Sequence, residues 1–284
     1  MAEEKLHLDQ TSPIFIGGLF KSGTTLIRAM LGQHSAIAAG LETQWFNIDW
    51  ESNRNDRSHK DIERLGHFYG IDQAKTDELV TKSHNINEFL DLFLGYYAAS
   101  LGKRRWAEKT PGNILHLDKI LDGWPSVKVI HVIRDPRDVF ASLKQAKKWD
   151  TCEVFSELWC LYLGSVQKFR KTLDLSDQCF LEIRYEALVV QPEEAMKRVI
   201  AFVGEEWEEG IQNFQGQQGD YDRVLKYTGK ASTTLERLKE PLRRKKIGIW
   251  KDNVTEDEMN TIYHEVEKRG LLNLMKRIEK GALQ

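Results

Sequence analysis

The chain has 284 residues, 41 Lys+Arg against 43 Asp+Glu for a net charge of −2, 41% hydrophobic and 30% charged residues. That apolar share supports a packed core and excludes wholesale disorder, while the balanced charge excludes a general nucleic-acid or anionic-membrane binder. No run approaches the roughly 18 apolar residues of a membrane span, the acidic start MAEEKLHLDQTSP lacks the features of a signal peptide, and Cys152, Cys160 and Cys179 form neither a CxxC pair nor a metal-ligand spacing. Reduced thiols in a cytoplasmic protein are therefore expected, with no metal and no membrane partner.

In chain order, residues 1–12 read as a flexible polar tail. The apolar run Pro13–Gly18 (PIFIGG) predicts a buried strand by its length and terminal glycines. Leu19–Gly23 follows as a loop and Thr24–Gln33 as a helix, with Leu26, Ile27, Met30 and Leu31 on its core face. Residues 43–84 are polar with scattered aromatics and read as irregular structure with short helices. Asn87–Leu101 carries Phe89, Leu90, Phe93, Leu94, Tyr97 and Leu101 at helical spacing, and Gly102 ends it.

Arg105–Glu108 reads as a short strand and Ile114–Leu121 as a helix. Val127–Ile133 (VKVIHVI) is the second clear buried strand, after which Pro136 opens a helix over Arg137–Lys148. A long helix at Val154–Leu173, a strand at Cys179–Ile183 and a helix at Pro192–Val203 follow; the charged tail from Asp220 regains helical spacing at Glu256–Arg269. There is no internal repeat and no linker. Strands alternating with helices predict one α/β domain over residues 1–284, a central parallel sheet flanked by helices.

Two segments carry chemistry. Residues 18–25 read Gly-Leu-Phe-Lys-Ser-Gly-Thr-Thr between a buried strand and a helix, where successive N–H groups and a helix N-terminus make a concave anion site. Against the phosphate-loop template GxxxxGK[ST], Gly18 and Gly23 fit, but Thr24 takes the lysine's slot and Lys21 lies inside the loop. A kinase needs that lysine on the β/γ-phosphates and a carboxylate for Mg²⁺; Arg134, not an acid, follows the strand Val127–Ile133. A cationic loop without a metal ligand suits a donor group of lower charge, such as a sulfuryl group. The second segment is Arg134-Asp135-Pro136-Arg137-Asp138-Val139-Phe140-Ala141-Ser142. Arg134 stands at the carboxyl end of a parallel strand, where α/β sheets bind ligands, and Arg134 with Ser142 can hold one phosphate. The alternative for Arg134 is a helix-start ion pair with Asp138.

Together these motifs resemble the sulfotransferases that use 3′-phosphoadenosine 5′-phosphosulfate (PAPS), and most of all their tyrosylprotein branch. The likeness runs through residues 16–43, resumes at Glu108-Lys109-Thr110-Pro111, at Val127–Ser142 and at Arg184-Tyr185-Glu186-Ala187-Leu188. It implies a P-loop-like sulfotransferase fold and an enzyme moving a sulfuryl group from PAPS to a hydroxyl or amine acceptor, leaving PAP. By the resemblance, Lys21, Ser22, Gly23, Thr24 and Thr25 form the 5′-phosphosulfate loop, with Lys21 on the transferring group. Glu42 stands where the tyrosylprotein branch keeps its catalytic base, and Lys109 matches a second lysine by the sulfuryl group. Arg134 and Ser142 match the 3′-phosphate ligands, and Tyr185 a tyrosine near the nucleotide. Residues 245–251 loosely resemble the loop that closes over PAPS, which brings Arg243 and Arg244 near the 3′-phosphate; Ser232, Thr233 or Thr234 supplies a hydroxyl.

The sequence departs from that branch at Ala39 and Ala107, which stand where it has cysteines. Among the histidines, His34 and His131 read as structural and His116 as the rival base. Trp45, Phe46, Trp50 and Trp149 are candidates for an acceptor pocket, though core packing competes for all four. A nucleotide-dependent kinase and an inactive PAP-binding module are the alternative functions. The acceptor, small molecule or peptide, and the oligomeric state, a homodimer included, are left open.

Overall fold

Ile14, Phe15 and Ile16 are consecutive, apolar and all fully buried, as a strand covered on both faces requires. The computed structural model describes residues 12–55, 60–173, 175–214, 218–230, 236, 238 and 244–282. The strand is β1 (Ile14–Gly17), and α1 (Thr24–Leu31) follows it. Then come β2 (Ile37–Ala39) and the helices α2 (Trp50–Asn55), α3 (Lys60–Tyr69), α4 (Gln73–Lys82) and α5 (Ile86–Ser100). Next are β3 (Arg105–Lys109), α6 (Leu117–Gly123), β4 (Lys128–Ile133), α7 (Pro136–Ala146) and α8 (Cys152–Thr172). The strand β5 (Phe180–Arg184) leads to α9 (Tyr185–Val190), α10 (Pro192–Val203) and α11 (Gln218–Thr228). Helices at Trp250–Asn253, Glu256–Lys268 and Leu272–Glu279 close the chain. None of the described helices is long and apolar enough to cross a membrane.

The five strands form one sheet in the order β2-β3-β1-β4-β5, every neighbouring pair parallel. From the central β1 the chain goes out to the edge strand β2, returns to β3, then crosses β1 to β4 and β5. That reversal opens a crevice at the carboxyl ends around β1, the position where sheets of this kind take ligands. Phe15 anchors one face: its ring meets Trp124, Trp106 and Trp45 at 4.9, 5.5 and 6.1 Å.

Three expectations need correction. β2 was not expected; Ile37-Ala38-Ala39 is too short and too alanine-rich to announce a strand, and only pairing with β3 makes it one. Residues 43–84 hold the regular helices α2 to α4, whose ends are set by caps such as Asp72, which accepts from the Lys75 N–H. The helix expected over Ile114–Leu121 is two elements, a 3₁₀ turn at Pro111–Leu115 and α6, broken at His116. The buried Asn113 explains the break: its amide donates to the Ile16 carbonyl and to Glu108, fixing the turn to β1 rather than to a continuing helix.

Candidate active site

All five strands deliver a residue to the crevice. β1 runs into the loop 18–23, which folds back through a bond from the Ser22 N–H to the Leu19 carbonyl, 3.1 Å. Gly18 and Gly23 have φ of 149° and 101°, and Lys21 itself sits at φ 67°. A Cβ on Gly18 would stand 2.4 Å from the Val132 carbonyl, and one on Gly23 2.5 Å from the Tyr185 ring; these positions need glycine. Gly23 is the N-cap of α1 and supplies no side-chain bond to its first turn. Leu26 donates back to the Gly23 carbonyl at 3.0 Å, and the N–H groups of Thr24 and Thr25 with the positive end of the helix suit an anion.

The registers place Glu42 and Lys109. Ala39 of β2 pairs with Ala107 of β3, and Lys109 pairs with Ile16 at the end of β1. Two residues beyond Ala107 and three beyond Ala39, the Lys109 ammonium meets the Glu42 carboxylate in an ion pair and donates to Thr25 Oγ1 at 3.3 Å. Lys109 is 3% exposed and the Glu42 side chain 36%, so the carboxylate faces the cleft while the lysine bridges it to the phosphate loop. A lysine this buried requires such a countercharge.

The segment carrying Glu42 is clamped from three sides. Arg64 of α3 donates to the Glu42 and Thr43 carbonyls at 3.3 and 2.7 Å, and the Tyr69 hydroxyl donates to the Leu41 carbonyl at 2.5 Å. Beneath it the fully buried Glu108 accepts from the Thr43 N–H (3.1 Å), Thr43 Oγ1 (2.8 Å), Thr110 Oγ1 (2.7 Å) and Asn113 Nδ2 (2.6 Å). One carboxylate therefore ties the residue after Glu42 to the residue after Lys109. Burial pushes the Glu108 carboxyl up, against the pull of its four donors.

On the other side of β1, Arg134 is 6% exposed. It donates to the Lys21 carbonyl at 2.9 Å and the Lys246 carbonyl at 2.5 Å, and its guanidinium lies 4.4 Å from the centre of the Tyr185 ring. Its Nε has no partner among the described residues. Tyr185, the first residue after β5, is thereby wedged between Arg134 and Gly23. Asp138 sits 3.9 Å from Arg134 but is spent elsewhere, accepting from the Gly248 and Trp250 N–H groups at 2.8 and 3.1 Å. With Arg137 stacked 4.2 Å from the Trp250 ring, it pins the C-terminal segment 246–250 along α7. Ser142, one turn beyond Asp138, is buried.

Of the expected site residues, the fold brings Lys21, Ser22, Gly23, Thr24, Thr25, Glu42, Lys109, Arg134 and Tyr185 to the same ends of the sheet. Arg244 is exposed and donates to the Val190 carbonyl at 3.2 Å. Arg243, Ser232, Thr233 and Thr234 lie outside the described residues. Two of the acceptor-pocket aromatics belong to the core instead: Trp45 is 2% exposed with its indole N–H on Asn113, and Trp50 is 7% exposed. Phe46 stacks on His116 at 4.3 Å, which gives that histidine a packing role, and burial pushes its pKa down. Trp149 alone of the four is largely exposed, stacked on Phe20 at 4.8 Å. His34 bonds the Glu206 carbonyl and the Ala36 N–H, and His131 bonds Glu182 within the sheet; both are structural. Glu108, Arg64, Tyr69 and the clasp made by Asp138 were not foreseen. A charged Glu108 inside the strand RWAEK was the one available signal.

A parallel sheet with a glycine loop after its central strand, an open helix N-terminus and cations on the neighbouring strand ends defines an α/β protein of the P-loop-like kind. The sulfotransferase family model matches residues 13–209, and the chain belongs to that family. It is 26% identical over 219 residues to protein-tyrosine sulfotransferase A of Caenorhabditis elegans, covering 72% of this chain and 53% of that protein. To the nodulation protein NoeE of Sinorhizobium fredii it is 26% identical over 277 residues, 87% of this chain and 62% of that one. The chain thus spans less than two thirds of the length of either relative. Its fold is similar to the sulfotransferase domain of the Synechococcus PCC 7002 olefin synthase, with a TM-score of 0.65, 19% identity, and 90% and 96% of the two chains covered. It is also similar to the mouse sulfotransferase SULT7A1 solved with PAP, with a TM-score of 0.53, 15% identity, and 99% and 95% covered.

Proposed function

We propose that this chain transfers a sulfuryl group from PAPS to a hydroxyl or amine acceptor by in-line displacement, with Glu42 as the base. The observation that carries the reading is the convergence of Lys109 on Glu42 and Thr25, which sets a proton acceptor and a cation beside the anion loop. The site fits the nucleotide on two counts: the uncapped N-terminus of α1 suits the 5′-phosphosulfate, and the terminal nitrogens of Arg134 make one bond each, to the Lys21 and Lys246 carbonyls, out of the four N–H groups they carry. Bound there, PAPS supplies the activated sulfuryl group.

The chain's own residues then have separable tasks. Glu42, on the cleft side, takes the acceptor proton. Lys21 and Lys109 stabilise charge developing around the transferring group and the departing phosphate oxygen. Arg134 braces the loop through the Lys21 carbonyl and, with Ser142, is assigned to the 3′-phosphate; the same role is assigned by the family likeness to Arg243 and Arg244. Tyr185 fixes Gly23 and Arg134 relative to one another. Cys152, Cys160 and Cys179 form no disulfide among the described residues, which suits the reducing cytoplasm in which this reading places the reaction.

The test is a thermal-shift panel of PAP, PAPS, ADP and ATP·Mg²⁺, followed by transfer from labelled PAPS to a set of alcohols, phenols, amines and peptides. PAP should stabilise the fold without added metal, by about 2.7 kcal/mol at a hundredfold excess over Kd. A shift with ATP·Mg²⁺ and none with PAP would replace this reading with a kinase; PAP binding without turnover of any acceptor would leave a binding module.

A further inference from the structure

Beneath the phosphate loop lies a chain of buried polar groups that the reaction does not use. His131, in β4 and fully buried, faces Glu182 of β5 across the parallel register, Nδ1 to Oε1 at 3.1 Å. The other Glu182 oxygen pairs with Arg170 of α8 at 3.0 Å. A carboxylate only accepts, so a proton of His131 sits on Nδ1, and in that tautomer Nε2 is an acceptor. Burial alone would raise the Glu182 carboxyl, but the His131 bond and the Arg170 charge hold it below its ordinary value, which keeps it a carboxylate.

His131 Nε2 is buried with no partner among the described residues, and so is the Nε of Arg134. A buried polar group left unpaired is destabilising. Both residues line the same small cavity of about 10 Å³, together with Ser22 of the phosphate loop and the apolar side chains of Leu19, Trp159 and Leu163. That volume is about what one water molecule needs. One unpaired group is a donor and the other an acceptor, the complement a single water satisfies.

We propose that one buried water joins His131 Nε2 to Arg134 Nε, making His131 a positioning residue for the nucleotide site. The water donates to Nε2 and accepts from the guanidinium N–H; Arg134 is thereby oriented with its remaining nitrogens on the Lys21 and Lys246 carbonyls. The relay runs from Arg170 through Glu182, His131 and the water to the arginine that braces the phosphate loop. His131 acts on binding through Arg134 and touches neither the donor nor the acceptor. This inference rests on the sulfotransferase reading only for its functional consequence; the water site stands on the buried groups and the cavity.

The direct test is a crystal structure of the full chain at a resolution that shows ordered water. One water within hydrogen-bond reach of both His131 Nε2 and Arg134 Nε is expected; a dry cavity, or an Arg134 Nε bonded to another group, overturns the proposal whether or not PAPS is the donor. The functional arm is PAP titration of three variants. His131→Gln keeps a donor for Glu182 and an acceptor for the water, and should hold PAP within about threefold of the parent. His131→Leu keeps neither, and should weaken PAP by roughly tenfold or more, the scale of one charge-assisted hydrogen bond. Arg134→Lys removes the Nε–H, and combining it with His131→Leu should add little further loss. Independent, additive losses in the double variant, or equal losses for His131→Gln and His131→Leu, would show that His131 serves only the packing of the sheet. Should His131→Leu fail to fold, the water density and the His131→Gln titration decide the matter alone.

Discussion

Replacing Gly23 by alanine should damage the site out of proportion to the single methyl added. The residue sits at φ 101° and ψ 13°, a conformation that costs an L-residue about 1–2 kcal/mol. The new Cβ would also stand 2.5 Å from Tyr185 Cδ2. That ring cannot yield freely, because the Arg134 guanidinium lies 4.4 Å from its centre; forcing extra volume into such a contact costs about 1–3 kcal/mol. The total expected loss is about 2–5 kcal/mol. Gly204 provides the control: it has a similar positive φ of 79° but nothing within 4 Å of its Cβ position, so Gly204→Ala should lose only the backbone component, about 1–2 kcal/mol. Urea unfolding of the two variants measures the difference, and PAP titration should show Gly23→Ala weakened about tenfold or more while Gly204→Ala binds as the parent does. Equal stability losses, or a Gly23→Ala variant with parental PAP affinity, would refute the argument that Tyr185 packs the loop into shape.

Three further outcomes are expected. Glu42→Gln should keep PAP affinity and lower kcat by about 10²–10⁴-fold, more for an aliphatic alcohol than for a phenol; retained turnover against a competent acceptor would move the base elsewhere, with His116 next in line. Arg134→Ala should raise the Kd for PAP, whereas Lys21→Ala should act mainly on kcat; equal rises in Kd with unchanged kcat in both would refute that division of labour. Because burial raises the Glu108 pKa, the native state holds a proton more readily than the unfolded chain, so stability falls as pH rises from the ordinary carboxylate value through the raised one. Glu108→Gln should lack this slope above the ordinary carboxylate value, and parallel unfolding curves for parent and variant would count against it.

The motifs that could be read directly are those contiguous in the chain. The loop from Gly18 to Thr25 holds its glycines, its cation and its helix start in one stretch, and Arg134 follows an unmistakable apolar strand. The parallel α/β class was legible for the same reason, since β1 is an unbroken apolar run and β4 is interrupted after Lys128 only by His131, both strands being buried on both faces. β2 was not legible, because three small or aliphatic residues carry no period. The helices within 43–84 were blurred by their polarity: α4 shows only Thr76 and Leu79 as buried residues. Trp45 and Trp50 could have lined a cleft or filled the core, and only the packing of Trp45 against Phe15 and the seat of Trp50 under α5, where its ring meets Phe89 at 5.4 Å, decide for the core.

Glu42 and Lys109 lie 67 residues apart, and nothing local in either segment predicts that they meet. What brings them together is the order of the sheet. Because the chain travels to the edge to form β2 and returns inside it to form β3, Ala39 comes to lie beside Ala107, and the two chain segments leave the sheet side by side. Glu108 then converts adjacency into fixed geometry by binding Thr43 and Thr110 with one carboxylate. Glu42, the proposed base, and Lys109 are thus framed by the residues next to them in sequence as well as by their own ion pair. A buried carboxylate with four donors is costly to place in a core, and its position directly before Lys109 gives that cost a purpose: the same short strand end supplies the cation of the candidate site and the anchor for the segment that carries the proposed base.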